Sequence, residues 1–189
     1  TYVHRLEESL GCFLKLPHVS LSVNGTAALQ LALRLSGLAG KKVLTTPFTY
    51  VATLSALLWE GCTPVFADID PDTLCLAPEA VEEALDVHPD VAGLLPVHVY
   101  GNACDVDRLE RLCIERGLTC MYDAAHAFGS VLNGRSLLAF GDYAACSFHA
   151  TKLFHTVEGG CLVTHSIEDQ RRVELLRAFG HIGDEHLTL

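Results

Sequence analysis

Three short segments hold the residues best able to do chemistry. The first is Asn24-Gly25-Thr26-Ala27-Ala28-Leu29, where a strand-like run meets a glycine and a helical run begins at once. Free backbone N–H groups at such a helix start, with the Thr26 hydroxyl beside them, can seat a phosphate. An ordinary cap by Asn24 or Thr26, with Gly25 turning the chain, accounts for the same residues. The segment is neither a Walker loop nor a G-x-G-x-x-G fingerprint. The second is Asp123 in MYDAAHAFGS. Apolar residues lead into it, which places the carboxylate at the end of a buried strand, where it needs a donating or cationic partner to stay charged. Ala124 and Ala125 leave space beside it that His126 can reach, although a helix-capping Asp followed by a core His fits the pattern too. The third is Ser147-Phe148-His149-Ala150-Thr151-Lys152, followed by Glu158-Gly159-Gly160. Lys152 follows a buried strand and has Leu153 and Phe154 for neighbours. Desolvation there lowers an amine's pKa and makes it a usable Schiff-base nucleophile, whereas a loop lysine snorkelling to water is the plain alternative. Ser147 can offer its hydroxyl to the same ligand.

Together these groups ask for one ligand with a phosphate, a ring nitrogen that wants a carboxylate, and an aldehyde that wants a lysine. Pyridoxal 5'-phosphate fits that description.

What must position them is a sheet with helices on both faces. Helical periodicity covers 3–15, with Val3, Leu6, Leu10 and Phe13 on one stripe, and then 26–36, 50–60, 78–85, 105–116 and 167–179. Short apolar, strand-like runs alternate with them near 19–23, 43–45, 64–67, 92–97, 119–122, 143–147 and 160–164. Asp105 is placed to cap one helix and Pro78 falls in the first turn of another. Asp70-Pro71-Asp72 and Asn133-Gly134 supply turn chemistry. Such alternation predicts an α/β fold with a mostly parallel sheet, and ligands of such sheets gather at the carboxyl ends of the strands.

At these residues the sequence resembles the DegT/DnrJ/EryC1/StrS family of pyridoxal-phosphate-dependent aminotransferases. The likeness lies in NGTAALQLAL at 24–33, TTPFTYVATLSALLWEGCTPVFADIDPDTL at 45–74, LLPVHVYGN at 94–102, YDAAHAFGS at 122–130 and FGDYAACSFHATKLFHTVEGG at 140–160. The resemblance implies the large domain of a fold-type I, aspartate aminotransferase-like enzyme. Lys152 looks like the lysine that binds the cofactor aldehyde, and Asp123 like the carboxylate that keeps the pyridine nitrogen protonated. Gly25, Thr26 and Ala27, with Ser147, match the phosphate seat. Tyr50 matches an aromatic ring stacked on the cofactor, and His126 a residue at the ring or its 3-hydroxyl. The implied reaction carries an amino group from glutamate or glutamine to a keto-sugar, usually nucleotide-linked, in aminosugar, polysaccharide or antibiotic biosynthesis. Relatives with histidine at the lysine position are sugar dehydratases, so Lys152 favours transamination. The resemblance also implies a homodimer.

Family members run to about twice this length, so residues 1–189 are expected to be the cofactor-binding domain, with the small C-terminal domain absent from this chain. A second reading is therefore a catalytically silent relative that binds the cofactor or a partner without turnover. Composition closes other routes. The chain has 189 residues, with 13 Lys+Arg against 23 Asp+Glu and a net charge of −10, which argues against nucleic acid as a partner. No apolar run nears the ~20 residues that span a bilayer, so no membrane partner is expected. No metal site is predicted: the eight cysteines contain no C-x-x-C, and the histidines no H-E-x-x-H. Cys146 in YAACSF and Cys161 in GGCLVT instead read as small buried hydrophobes of a reduced, cytoplasmic protein. His98 in PVHVYGN reads as a structural strand histidine, and Asp68–Asp72 as a solvated turn.

Overall fold

The computed structural model describes residues 1–178, 180–182 and 184–188. In chain order the elements are α1 (Tyr2–Leu14), β1 (His18–Ser22), α2 (Gly25–Leu35), β2 (Lys42–Thr45), α3 (Val51–Trp59), β3 (Thr63–Phe66), α4 (Pro78–Val87) and β4 (Val91–Leu94). There follow α5 (Val106–Arg116), β5 (Thr119–Asp123), the small hairpin β6 (Val131–Leu132) and β7 (Arg135–Ser136), β8 (Tyr143–Ser147), β9 (Gly160–Thr164) and α6 (Ile167–Arg177). β10 (His181–Ile182) and β11 (Asp184–Thr188) form a separate antiparallel pair.

Seven strands make one sheet in the order β1-β9-β8-β5-β4-β2-β3. β8, β5, β4, β2 and β3 run parallel, while β9 is antiparallel to both neighbours, β8 and β1. Side chains alternate across the strands with period two, as a sheet covered on both faces requires. Met121, Tyr143, Ala145 and Leu162 pack with α2, α3 and α6. Cys120, Tyr122, Ala144, Cys146 and Cys161 pack on the other face with α1, α4 and α5. The predicted α/β architecture is therefore the observed one.

Local chemistry sets the element ends. Asp105 caps α5 by accepting from the Arg108 N–H at 3.2 Å, and Pro78 opens α4. The strand predicted over 92–97 pairs regularly only as far as Leu94. Pro96 lacks an N–H, and beyond it a single bridge joins Val97 to Asp123. His98 consequently stands in the turn after β4, and residue 179, the predicted last residue of the final helix, lies outside the described residues. No helix among the described residues is long and apolar enough to cross a membrane. All eight cysteines are free thiols, and only Cys12 is exposed.

Candidate active site

Five strand ends converge on one cleft of about 670 Å³. It is bounded by the turn from β1 into α2, the segment from β2 into α3, the turn after β4, the end of β5 and the loop after β8. Seven of the eight residues singled out in the sequence line it: Gly25, Thr26, Tyr50, Asp123, His126, Ser147 and Lys152. Ala27 does not, and its N–H donates to the Asn24 side chain at 2.8 Å. The Asn24 cap and a seat at the helix start thus coexist. The cap takes the third N–H, and those of Gly25 and Thr26 remain in a first turn that no intrahelical carbonyl can reach.

Close packing fixes this helix start against the sheet. A Cβ on Gly25 would lie 2.9 Å from Ser147 Cβ, and one on Gly160 would lie 2.6 Å from the Asn24 carbonyl carbon. Two glycines therefore let the β1–α2 turn rest directly on β8 and β9. The buried Ser147 hydroxyl accepts weakly from the His149 N–H at 3.4 Å, and its own proton can serve a ligand.

Asp123 ends β5 and is buried at 5 % exposure. Its backbone continues the ladder, donating to the Pro96 carbonyl at 2.9 Å and accepting from the His98 N–H at 3.0 Å. Alternation from Met121 turns its side chain toward the face that carries α2 and α3. There Oδ2 accepts from the Thr53 hydroxyl at 2.6 Å and Oδ1 from the Ala125 N–H at 3.0 Å. It forms no salt bridge among the described residues. A buried carboxylate with two neutral donors and no cation, opening on a cleft, suits a cationic N–H on a ligand.

His126 follows three residues later and lies half-buried. Its Nδ1 accepts from the Tyr100 N–H at 3.1 Å, which leaves the neutral ring's proton on Nε2. Burial lowers its pKa, the Lys152 charge lowers it further, and Asp123 partly opposes both. The Tyr100 ring stacks on it at 5.8 Å, with the backbone in the left-handed region at φ 55°.

Lys152 rides on a turn in which its N–H donates to the His149 carbonyl at 2.9 Å. The His149 ring braces this turn. Its Nδ1 accepts from the Thr151 N–H at 3.2 Å and lies 2.8 Å from the Thr151 hydroxyl, while Nε2 lies 3.5 Å from the Glu158 carboxylate. Tyr50 is the residue before α3 and is 71 % exposed at the cleft mouth. Thr53, Tyr100, His149 and Glu158 also shape the site; the last two stand in the third segment read in the sequence, but none of the four was assigned a role there. For Tyr100 and Glu158 nearness to the motif residues was the available signal. Thr53 offered none.

The donor set suits a phosphorylated, aldehyde-bearing pyridine: free N–H groups and a hydroxyl at one end, a cation-free buried carboxylate at another, and an amine on the loop between β8 and β9.

Comparison with known proteins agrees. Over 185 residues the chain is 42 % identical to a dTDP-4-amino-4,6-dideoxy-D-glucose transaminase of Shigella dysenteriae, covering 98 % of this chain and 50 % of that protein. The structure of DesI with its TDP-sugar product superposes with a TM-score of 0.89 at 40 % identity, covering 94 % of this chain and 45 % of that one. NtdA of Bacillus subtilis, solved with bound cofactor PMP, superposes at 0.91 with 26 % identity, covering 100 % and 43 %. The chain thus spans about half the length of the relatives it matches. The model of the DegT/DnrJ/EryC1/StrS aminotransferase family matches residues 1–187, and this chain belongs to that family.

Proposed function

We propose that the chain is the cofactor-binding portion of a pyridoxal-phosphate-dependent aminotransferase. It moves an amino group from glutamate or glutamine to a keto-sugar, nucleotide-linked in the usual case, for aminosugar, polysaccharide or antibiotic biosynthesis. One observation carries the reading: Lys152, Asp123, Ser147 and the free start of α2 line a single cleft at the carboxyl ends of the strands.

Bound there, pyridoxal phosphate supplies an aldehyde carbon that carries the amino group and a ring that takes up electron density. The Gly25 and Thr26 N–H groups and the Ser147 and Thr26 hydroxyls bind its phosphate, with the α2 dipole adding to the attraction. Asp123 holds a proton on the ring nitrogen, and charge-assisted hydrogen bonding favours that pairing. Tyr50, at the cleft mouth, would cover the cofactor ring and exclude water, while His126 would present its Nε2–H to it. Lys152 holds the cofactor between turnovers. With a donor amino acid bound, the Lys152 Nζ would carry a proton away from the donor α-carbon as base and redeliver it as acid. Overall, the donor would exchange its amino group for a water oxygen and leave as a 2-oxo acid, and the same Nζ would move the proton in reverse for the sugar. A lysine at position 152 supports transamination over dehydration.

The proposal extends to a cytoplasmic homodimer. Seven buried reduced thiols support the first part. The exposed Tyr50 and Leu153 side chains near the cleft mouth support the second, as surfaces a second subunit covers.

The test is the visible absorbance of the protein mixed with pyridoxal phosphate, beside Lys152→Ala. A band in the wild type that the variant lacks is expected, and no band in either refutes the cofactor reading. Transfer from glutamate to a keto-sugar then separates an active enzyme from a silent relative, and a deoxygenated product would reveal a dehydratase.

A further inference from the structure

The least expected contact in the cleft wall is a pair of threonines. Thr53 is fully buried, and a buried helical threonine ordinarily turns its hydroxyl to a carbonyl one turn back. Here the hydroxyl crosses to Asp123, seventy residues onward, with Oγ1 at 2.6 Å from Oδ2. Thr49 Oγ1 lies 2.7 Å from Thr53 Oγ1. An ionised carboxylate only accepts, so the Thr53 proton points to Asp123 and the Thr49 proton to Thr53. The chain of donation therefore has one direction, each bond strengthening the next. The Ala125 N–H holds the other carboxylate oxygen at 3.0 Å. With one fixed donor on each oxygen, the carboxylate cannot turn about its Cβ–Cγ bond without losing both.

We infer that Thr53, backed by Thr49, is a positioning residue that locks the Asp123 carboxylate in the orientation it presents to the cofactor ring. The inference rests on the function proposed above. The backbone strengthens it: the Thr53 N–H donates to the Tyr50 carbonyl at 3.2 Å, so one turn of α3 carries both the ring-covering tyrosine and the hydroxyl on the carboxylate. Displacing that turn moves both contacts together. Packing alone does not call for threonine here, because valine fills nearly the same volume without the hydroxyl.

The experiment measures pyridoxal phosphate affinity and the lysine-dependent visible band in wild type, Thr53→Val, Thr53→Ser, Thr49→Val and Thr49→Ser. Thr53→Val is expected to weaken affinity by about tenfold to a hundredfold, the size of a hydrogen bond to a charged group. Thr53→Ser should restore it to within about threefold, because the hydroxyl decides and not the methyl. Thr49→Val should show a smaller loss that Thr49→Ser reverses. Unchanged affinity in Thr53→Val overturns the inference, as do equal losses in Thr53→Val and Thr53→Ser. If Thr53→Val does not fold, the Thr49 pair decides by the same criterion, since Thr49 is only half-buried. A cofactor-free measurement separates this inference from the functional reading. The Thr53 hydroxyl proton should exchange slowly by NMR and faster in Asp123→Ala. Equal exchange in both overturns the relay even if the cofactor binds, and absence of the visible band in wild type refutes the functional reading instead.

Discussion

Gly160→Ala probes the contact between β9 and the start of α2. The added Cβ would lie 2.6 Å from the Asn24 carbonyl carbon and 2.7 Å from the Asn24 oxygen and the Gly25 nitrogen. All three are backbone atoms, so no side chain can swing aside. Ordinary contact begins at 3.4 Å, so the helix start must withdraw by about 0.8 Å. Overpacking of this kind costs about 1–3 kcal/mol. At roughly 2–4 °C per kcal/mol for a domain of this size, Tm should fall by about 2–12 °C. The same shift lengthens a hydrogen bond of about 2.9 Å beyond bonding range. One lost bond from Gly25 or Thr26 to a phosphate should weaken pyridoxal phosphate binding about tenfold to a hundredfold. Titration with pyridoxal, which has no phosphate, is the internal control and should show little change. Equal losses for the two ligands, or unchanged affinity with a lowered Tm, would refute the assignment of this helix start to the phosphate.

Three further outcomes follow from single side chains. Burial pushes the His98 imidazole down to about 4 from 6.5. Its contribution is complete above pH 6.5 and is lost as the unfolded chain takes up a proton that the folded one refuses. Stability should therefore fall by up to about 3 kcal/mol between pH 6.5 and 4, and denaturation of His98→Gln should show a shallower pH dependence there. Arg177 reaches Glu7 at 2.6 Å and the Leu21 carbonyl at 2.7 Å, tying α6 to α1 and β1. Arg177→Ala leaves a largely buried Glu7 without its cation and should cost about 2 kcal/mol in urea denaturation. Asp105→Ala removes the α5 cap and should cost about 1 kcal/mol, with cofactor affinity unchanged because α5 lies outside the cleft.

Asp123, Ser147 and the start of α2 were readable in the sequence because each follows an apolar strand, and strand ends are where such sheets hold their ligands. Lys152 was read from its apolar neighbours on the next loop, of which Phe154 packs against the core while Leu153 stands 90 % exposed. Thr53 was not, because its partner lies seventy residues away and its own surroundings read as any helix. The direction of β9 was hidden for a similar reason: an apolar run has the same period whichever way it points, and only its pairing reveals its sense. The Tyr100–His126 pairing depends on a left-handed backbone at a non-glycine residue, which local residue preferences discourage. The end of β4 was overrun because Pro96 stops the ladder without interrupting the apolar pattern.

The antiparallel strand also has a consequence for assembly. Among the described residues β1 pairs with β9 alone, in a register that joins Ser22 to Gly160 and His18 to Thr164. At about 5–20 residues per second, a ribosome needs roughly 7–30 s to travel from one to the other. Throughout that time β1 has no strand to pair with. It gains one only when the segment that has just delivered Lys152 turns back. Ser147 on β8 can meet Gly25 earlier, but β9 closes both the Asn24 side of the phosphate seat and the lysine loop, so a nascent chain halted before residue 160 completes neither.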